Sequence, residues 1–103
     1  MSKLLNPTQL SELPDLYTQE NVKDPLCHFK LFTPDSNWTW YIIELSQEDK
    51  VTCFGYVIGH ESELGHFNLQ ELEEVQGALG LAVELDIHFK PTLLSNVKGE
   101  QSL

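Results

Sequence analysis

The hydrophobic positions of this chain change period along its length, and each change marks an element. Leu5-Asn6-Pro7-Thr8-Gln9-Leu10 reads as a helix start. Asn6 can cap, Pro7 suits the first helical position, Gln9 reaches back to the cap N–H, and Leu5 and Leu10 staple across it. Leu13-Pro14 should end that helix after about two turns, because proline cannot continue the hydrogen-bond ladder. From Leu26 the period falls to two, and Leu26 to Phe32 reads as a strand with Cys27, Phe29 and Leu31 on one side. Pro34-Asp35-Ser36-Asn37 is a turn, with proline pre-set for its first central position and Asp and Asn able to bond their own backbone. Asn37 to Leu45 returns, Gln47-Glu48-Asp49-Lys50 turns again, and Val51 to Ile58 completes an antiparallel meander. Phe67-Asn68-Leu69-Gln70-Glu71-Leu72 repeats the capping box, with Leu69, Leu72, Val75 and Leu79 on one helical face and Gly77 and Gly80 as the stop. Leu81, Val83, Leu85, Ile87 and Phe89 then alternate with polar positions as a half-buried strand that Pro91 closes.

The predicted fold class is α+β. A four-stranded, mainly antiparallel sheet has the element order α-β-β-β-α-β, with a helix packed on one face. One domain is expected over residues 1–103, its folded core about 4–94 and its polar tail 96–103 loose. Within the Asn37–Leu45 strand, Trp38 and Trp40 share a face while Tyr41 and Ile43 line the other. A strand that is apolar on both sides needs cover on both, from a second helix, an oligomer or a partner.

Composition narrows the classes. Hydrophobic residues at 41% and aromatics at 10% of 103 residues fit a folded globule. No apolar run approaches the roughly 20 residues that cross a bilayer. Asn6-Pro7 directly after Met1-Ser2-Lys3-Leu4-Leu5 leaves no signal-peptide apolar region, so a cytoplasmic protein without membrane partners is expected. Cys27 and Cys53 stand alone in strand-like runs, which favours reduced, buried thiols over a disulfide. Sixteen acidic residues face six lysines and no arginine, for a net charge of −10. Without a basic patch, direct nucleic-acid binding is not expected. A basic protein surface is the electrostatically favoured partner, set against an acidic surface that serves only solubility.

Candidate chemistry is sparse. Trp38 and Trp40 offer an aromatic platform for a base, a sugar or a partner side chain, or else belong to the core. Glu71, Glu73 and Glu74 on the second helix and Glu84 and Asp86 on the last strand should be exposed. If those two elements are neighbours, their charges form one negative patch; a solvated face is the plainer reading. His60-Glu61-Ser62-Glu63-Leu64-Gly65-His66 reads as a loop whose His60, Glu63 and His66 are metal-ligand candidates, but its spacing fits no zinc signature and no cofactor is expected. Asp35 and Ser36 are explained by turn chemistry, and no nucleophile elbow or phosphate loop is present, so no enzyme is expected.

The segments L-N-P-T-Q-L-S-E-L-P-D-L-Y, F-T-P-D-S-N-W-T-W-Y, F-G-Y-V-I-G, E-L-G-H-F-N-L-Q-E-L and G-L-A-V-E-L-D-I-H-F-K-P together resemble a family of small proteins classed as a domain of unknown function. The similarity runs from about Leu4 to Lys90. The resemblance implies a setting on plasmids, conjugative elements and phages, beside antirestriction genes, and supplies no catalytic residues. The expected function is then a non-enzymatic acidic protein of a mobile element. It would inhibit a host defence protein, in the manner of anti-CRISPR or antirestriction proteins, by occupying a basic groove. The contact residues expected are Asp35, Trp38, Trp40, Glu71, Glu73, Glu74, Glu84 and Asp86. The alternative is a nucleotide-signal or other small-molecule binder, a sponge, with a base on Trp38 or Trp40 and Lys30, Lys90 or His88 near its phosphates; a homo-oligomer with sites between subunits would suit it. A metal-dependent enzyme built on the His60–His66 segment is the third reading.

Overall fold

The computed structural model describes residues 4–77 and 79–101, with side chains through Gly99. Helix α1, Pro7–Glu12, starts as its sequence dictates: Asn6 Oδ1 accepts from Gln9 N–H and Gln9 Oε1 accepts from Asn6 N–H, both at 2.8 Å. Leu5 and Leu10 are both buried, and Leu13 turns extended ahead of Pro14. The single strand expected over Leu26–Phe32 is split at His28, because Leu26 and Cys27 (β1) pair with residues 92–93 outside the main sheet. Cys27 therefore packs on the opposite side from Phe29 and Leu31. The strands β2 (Phe29–Phe32), β3 (Thr39–Leu45), β4 (Thr52–Ile58) and β5 (Ser62–Asn68) follow in turn. Helix α2 is Leu69–Leu72, strands β6 and β7 are Glu84–Leu85 and Thr92–Leu93, and helix α3 is Leu94–Gln101. The main sheet has five antiparallel strands in the order β5-β4-β3-β2-β6, and β1 pairs with β7 apart from it. The α+β class and the meander are as expected; the four-strand count is not.

Between Ser62 and Phe89 three segments depart from expectation, each for a local reason. The segment from Ser62, expected as a loop, is the fifth strand, paired with β4 through seven residues from Ile58↔Ser62 to Thr52↔Asn68. The helix expected to run through Leu79 is a single turn. Glu73 and Glu74 stand at its C-terminal end, where the helix dipole disfavours carboxylates, and no basic residue offsets them. Leu79 ends up 82% exposed. The clean alternation from Leu81 to Phe89 yields only the two residues of β6, because the preceding chain doubles back as a tight hairpin. Gln76 bridges Ala82, Gly77 N–H donates to Leu81 O, and Gly80 takes a positive φ of 82°. Val83 is buried, whereas Ile87 is 79% exposed.

The sheet has two unlike faces. The first carries Leu31, Trp40, Ile42, Leu45 and Cys53, packed against Leu10 of the N-terminal helix and its flanking Leu5 and Leu13, Leu69 and Leu72 from α2, and Val83. The second carries Tyr41, Ile43 and Tyr56, covered by Cys27 of β1 and by Leu94 and Val97 of α3. The stretch expected as a loose tail is therefore helical through Gln101, and Val97 is fully buried; Ser102 and Leu103 lie outside the described residues. Cover for the Tyr41 and Ile43 side comes from this helix.

A β-bulge in β3 decides what each face receives. Pairing with β4 runs to Ile42↔Gly55 and resumes at Glu44↔Phe54, so one extra residue enters β3. The extra residue shifts the alternation: Ile43 and Glu44 both turn to the second face, and Leu45 returns to the first. Gly55 sits opposite the bulge, where a Cβ would run into the Tyr41 carbonyl.

Candidate functional site

The hairpin end of the sheet gathers the tryptophans. Trp38 and Trp40 stack with ring centroids 6.0 Å apart and planes 22° apart, as residues two apart on a strand should. They divide the two readings between them. Trp40 is core at 6% exposure, and Trp38 is 37% exposed above it with the His60 ring edge-on at 5.6 Å. Asp35 is occupied with structure: its Oδ2 accepts from Leu79 N–H at 2.6 Å and Leu81 N–H at 3.2 Å, and a Cβ on Gly77 would collide with its carboxylate. It pins the 76–82 hairpin to the β2–β3 turn.

That use of Asp35 is general. All five aspartates accept backbone N–H groups that hold loops. Asp15 takes Leu16 and Gln47, Asp24 takes Ser95, Asp49 takes Val51 and Thr52, and Asp86 takes His88. Hydrogen bonds from the Thr52 hydroxyl and N–H hold the Asp49 carboxyl down to about 2, and those from Ser95 lower Asp24. Asp86 also pairs with Lys30 at 3.8 Å. The glutamates behave differently. Among the described residues Glu12, Glu20, Glu48, Glu61, Glu63, Glu71, Glu74 and Glu84 are exposed, Glu73 is half-buried, and Glu44 alone is buried at 4%.

The acids expected to form one patch do not share an edge. Glu71, Glu73 and Glu74 follow β5, while Glu84 and Asp86 lie on or beside β6, at the opposite edge of the sheet. Four strand spacings separate those edges, roughly 19 Å at about 4.8 Å each. The metal-ligand candidates diverge as well. His60 leans on Trp38; on β5, Glu63 and His66 are an odd number of residues apart and point to opposite faces. Among the described residues no group of three or more such side chains is placed to hold a metal ion. Cys27 and Cys53 are free and fall in different core clusters. Burial pushes both thiols up to about 12, which leaves little thiolate for nucleophilic chemistry.

The most site-like feature was not among the expected residues. On the second face, chain segment 17–25 passes over the β3–β4–β5 corner and leaves a cleft of about 340 Å³. Its walls are Val22, Ile43, Leu64 and Leu94, with Tyr17, Phe54 and His66 as an aromatic side and Glu20, Lys23 and Glu44 as charged groups. Glu44 Oε1 accepts from Tyr17 N–H at 3.1 Å and Oε2 from Gln19 N–H at 2.7 Å, so the carboxylate ties the crossing segment to the sheet. Tyr17 takes a positive φ of 68° there. The His66 ring lies 5.1 Å from Phe54 and 6.2 Å from Tyr17. One signal in the sequence could have found the site: a glutamate inside the apolar run Trp40-Tyr41-Ile42-Ile43-Glu44-Leu45, where a buried carboxylate needs a reason. A second recess of about 560 Å³, near the hairpin end, is lined by Lys30, Phe32, Ser36, Asn37, Trp38 and Asp86 among others.

The molecule is thus a small α+β fold on a five-stranded antiparallel sheet, carrying one closed face and one clefted face. Over residues 4–97 the chain matches, and belongs to, the family described as protein of unknown function (DUF2958). No curated protein and no solved structure matches it. Among the described residues no helix is long and apolar enough to cross a membrane.

Proposed function

We propose that this protein is a non-enzymatic binding protein whose exposed glutamates occupy a basic surface of a partner protein. The observation that carries the reading is the division of labour among the acids. The aspartates hold loops, whereas among the described residues eight glutamates stand exposed, in a chain of net charge −10 without arginine. Long-range attraction of that kind speeds encounter with a basic surface and is screened by salt. Exposed Glu71 and Glu74, with the half-buried Glu73, make the densest acidic run, and the exposed part of Trp38 is an aromatic anchor at the other end of the sheet. Asp35 and Trp40 support their surroundings and leave this contact set. The setting on mobile DNA that the resemblance implies makes a host defence protein the partner to look for.

The test is capture of partners from host lysate by tagged protein at two salt concentrations, with Glu71→Lys/Glu74→Lys beside the wild type. One stoichiometric partner, lost at high salt and lost with the double variant, is the expected outcome. Equal capture by both proteins sinks the charge mechanism. The 560 Å³ recess favours a second reading, a small-molecule binder, because Trp38 and Lys30 both line it. His88 and Lys90 do not line it, and Lys30 is already engaged by Asp86.

A further inference from the structure

We infer that the cleft beneath segment 17–25 is a binding site for an organic cation, a guanidinium or alkylammonium group on an apolar stem. The inference stands apart from the acidic-surface reading, since Glu71, Glu73 and Glu74, the acidic run singled out there, do not line this cleft.

Glu44 is the reason. Its side chain is 96% buried by accessible area (4% exposed), and no lysine or histidine lies within ion-pairing distance of it among the described residues. A buried carboxylate without a cation is costly, and two backbone N–H bonds answer only part of the cost. A carboxylate offers about four lone-pair directions, and Tyr17 and Gln19 take two. The lone pairs left over suit the forked N–H groups of a guanidinium or the three donors of an ammonium. The rings of Tyr17, Phe54 and His66 stand beside the carboxylate on the same cleft, and aromatic faces attract a desolvated cation. Val22, Ile43, Leu64 and Leu94 give the stem an apolar wall. Glu20 and Lys23 also line the cleft and carry opposite charges, so Glu44 sets the net charge of the lining. The cleft volume of about 340 Å³ falls at the lower end for small-ligand sites, large enough for one such group with its stem. The bulge in β3 is what makes the site, because without it Glu44 would point into the closed face.

Two sources supply this chemistry, a free amine or guanidine metabolite and a basic side chain of a partner, and the titration separates them. Agmatine, a neutral isostere of it in which a urea replaces the guanidinium and a hydroxyl replaces the amine, and a glycine-flanked arginine peptide blocked at both ends are titrated into the full chain by calorimetry. Shifts of the His66 ring signals are followed in parallel by NMR. Agmatine is expected to bind and move the His66 signals, and the urea analogue is expected to bind at least tenfold more weakly. Glu44→Gln should lower agmatine affinity at least tenfold. If that variant misfolds, Leu64→Glu, at a half-exposed wall position, should instead alter the affinity without touching Glu44. Stronger binding of the peptide assigns the site to a partner's side chain, and stronger binding of agmatine assigns it to a small molecule. No agmatine binding at millimolar concentration, or equal binding of the urea analogue, overturns the inference. Glu71→Lys/Glu74→Lys should leave agmatine affinity unchanged, so failure of the surface reading and failure of this one are told apart.

Discussion

The two faces of the sheet solve the same burial problem by different means. On the first face, side chains from the N-terminal helix, α2 and Val83 close directly over Leu31, Ile42 and Leu45, and hydrocarbon contacts do the sealing. On the second face the covering segments are tied on through carboxylates. Glu44 holds residues 17 and 19, and Asp24 holds the start of α3 through Ser95 N–H at 2.9 Å and Ser95 Oγ at 2.7 Å. A seal made by packing leaves no room, whereas one made by a few directional bonds leaves a cleft. The difference explains why the candidate site lies where the cover is polar.

The largest expected effects test whether the faces are energetically separate. Ile42 is fully buried on the first face, and Ile42→Ala should cost about 2–5 kcal/mol, with the cost set by how far the site collapses. Val97→Asp puts a carboxylate among Cys27, Tyr41, Tyr56 and Leu94 on the second. It should cost roughly 1–3 kcal/mol, because undocking α3 returns the charge to water. Urea unfolding gives both numbers, and near-ultraviolet circular dichroism of Tyr41 and Tyr56 reports the undocking. If Val97→Asp abolishes folding as fully as truncation of the first face, the second face is not the separable layer described above.

A middle-sized effect falls on Glu44. Glu44→Ala leaves the N–H groups of Tyr17 and Gln19 without their acceptor, at about 1–3 kcal/mol for an unmet buried donor. The freed segment should also become a better protease substrate, and Lys23 supplies a trypsin site within it. Faster cleavage after Lys23 in the native protein is the expected result; a rate equal to wild type would mean that the segment is held by its apolar contacts instead.

Legibility in the sequence followed the range of the interactions. The Asn6–Gln9 capping box, the Pro34–Asn37 turn and the β2–β3–β4 meander were readable because each is decided by residues within a few positions of one another. The 73–89 region was not. There Asp35 reaches across more than forty residues to take the N–H groups of Leu79 and Leu81, and an alternating pattern cannot show that its backbone donors are already engaged. Strand β5 was hidden because Glu63 and His66 look like loop chemistry when the partner strand is unknown; as an edge strand it is free to carry them. The candidate site depended on a one-residue bulge, and shifting the phase of Trp40–Leu45 by one position exchanges which side chain meets which face. Only Glu44, a carboxylate in an apolar strand, signalled it in advance.

The smallest effect sharpens the comparison through pH. Burial lowers the basicity of half-buried His28, against the pull of Glu12 nearby. The unfolded chain therefore takes up this proton more readily than the folded one, and stability should fall as pH drops below the ordinary histidine value of 6.5. Asp24 titrates lower. Its hydrogen bonds from Ser95 hold the folded carboxyl below 3.8, so its contribution is complete above that pH and is lost as pH falls through the folded value. Urea midpoints at pH 7.5, 5.5, 4.5 and 3 (test conditions chosen around these ordinary values, roughly one unit or more to either side) separate the two. His28→Gln should flatten the limb between neutral pH and about 5, and Asp24→Asn should flatten only the limb below about 4. The Asp24 carboxyl is held by hydrogen bonds whereas the His28 shift comes from burial, and salt should shrink the Asp24 limb more than that of His28. If His28→Gln leaves the neutral limb intact, the buried imidazole is not its source. If Asp24→Asn leaves the acid limb unchanged, α3 is held by Leu94 and Val97 without help from the carboxylate tie.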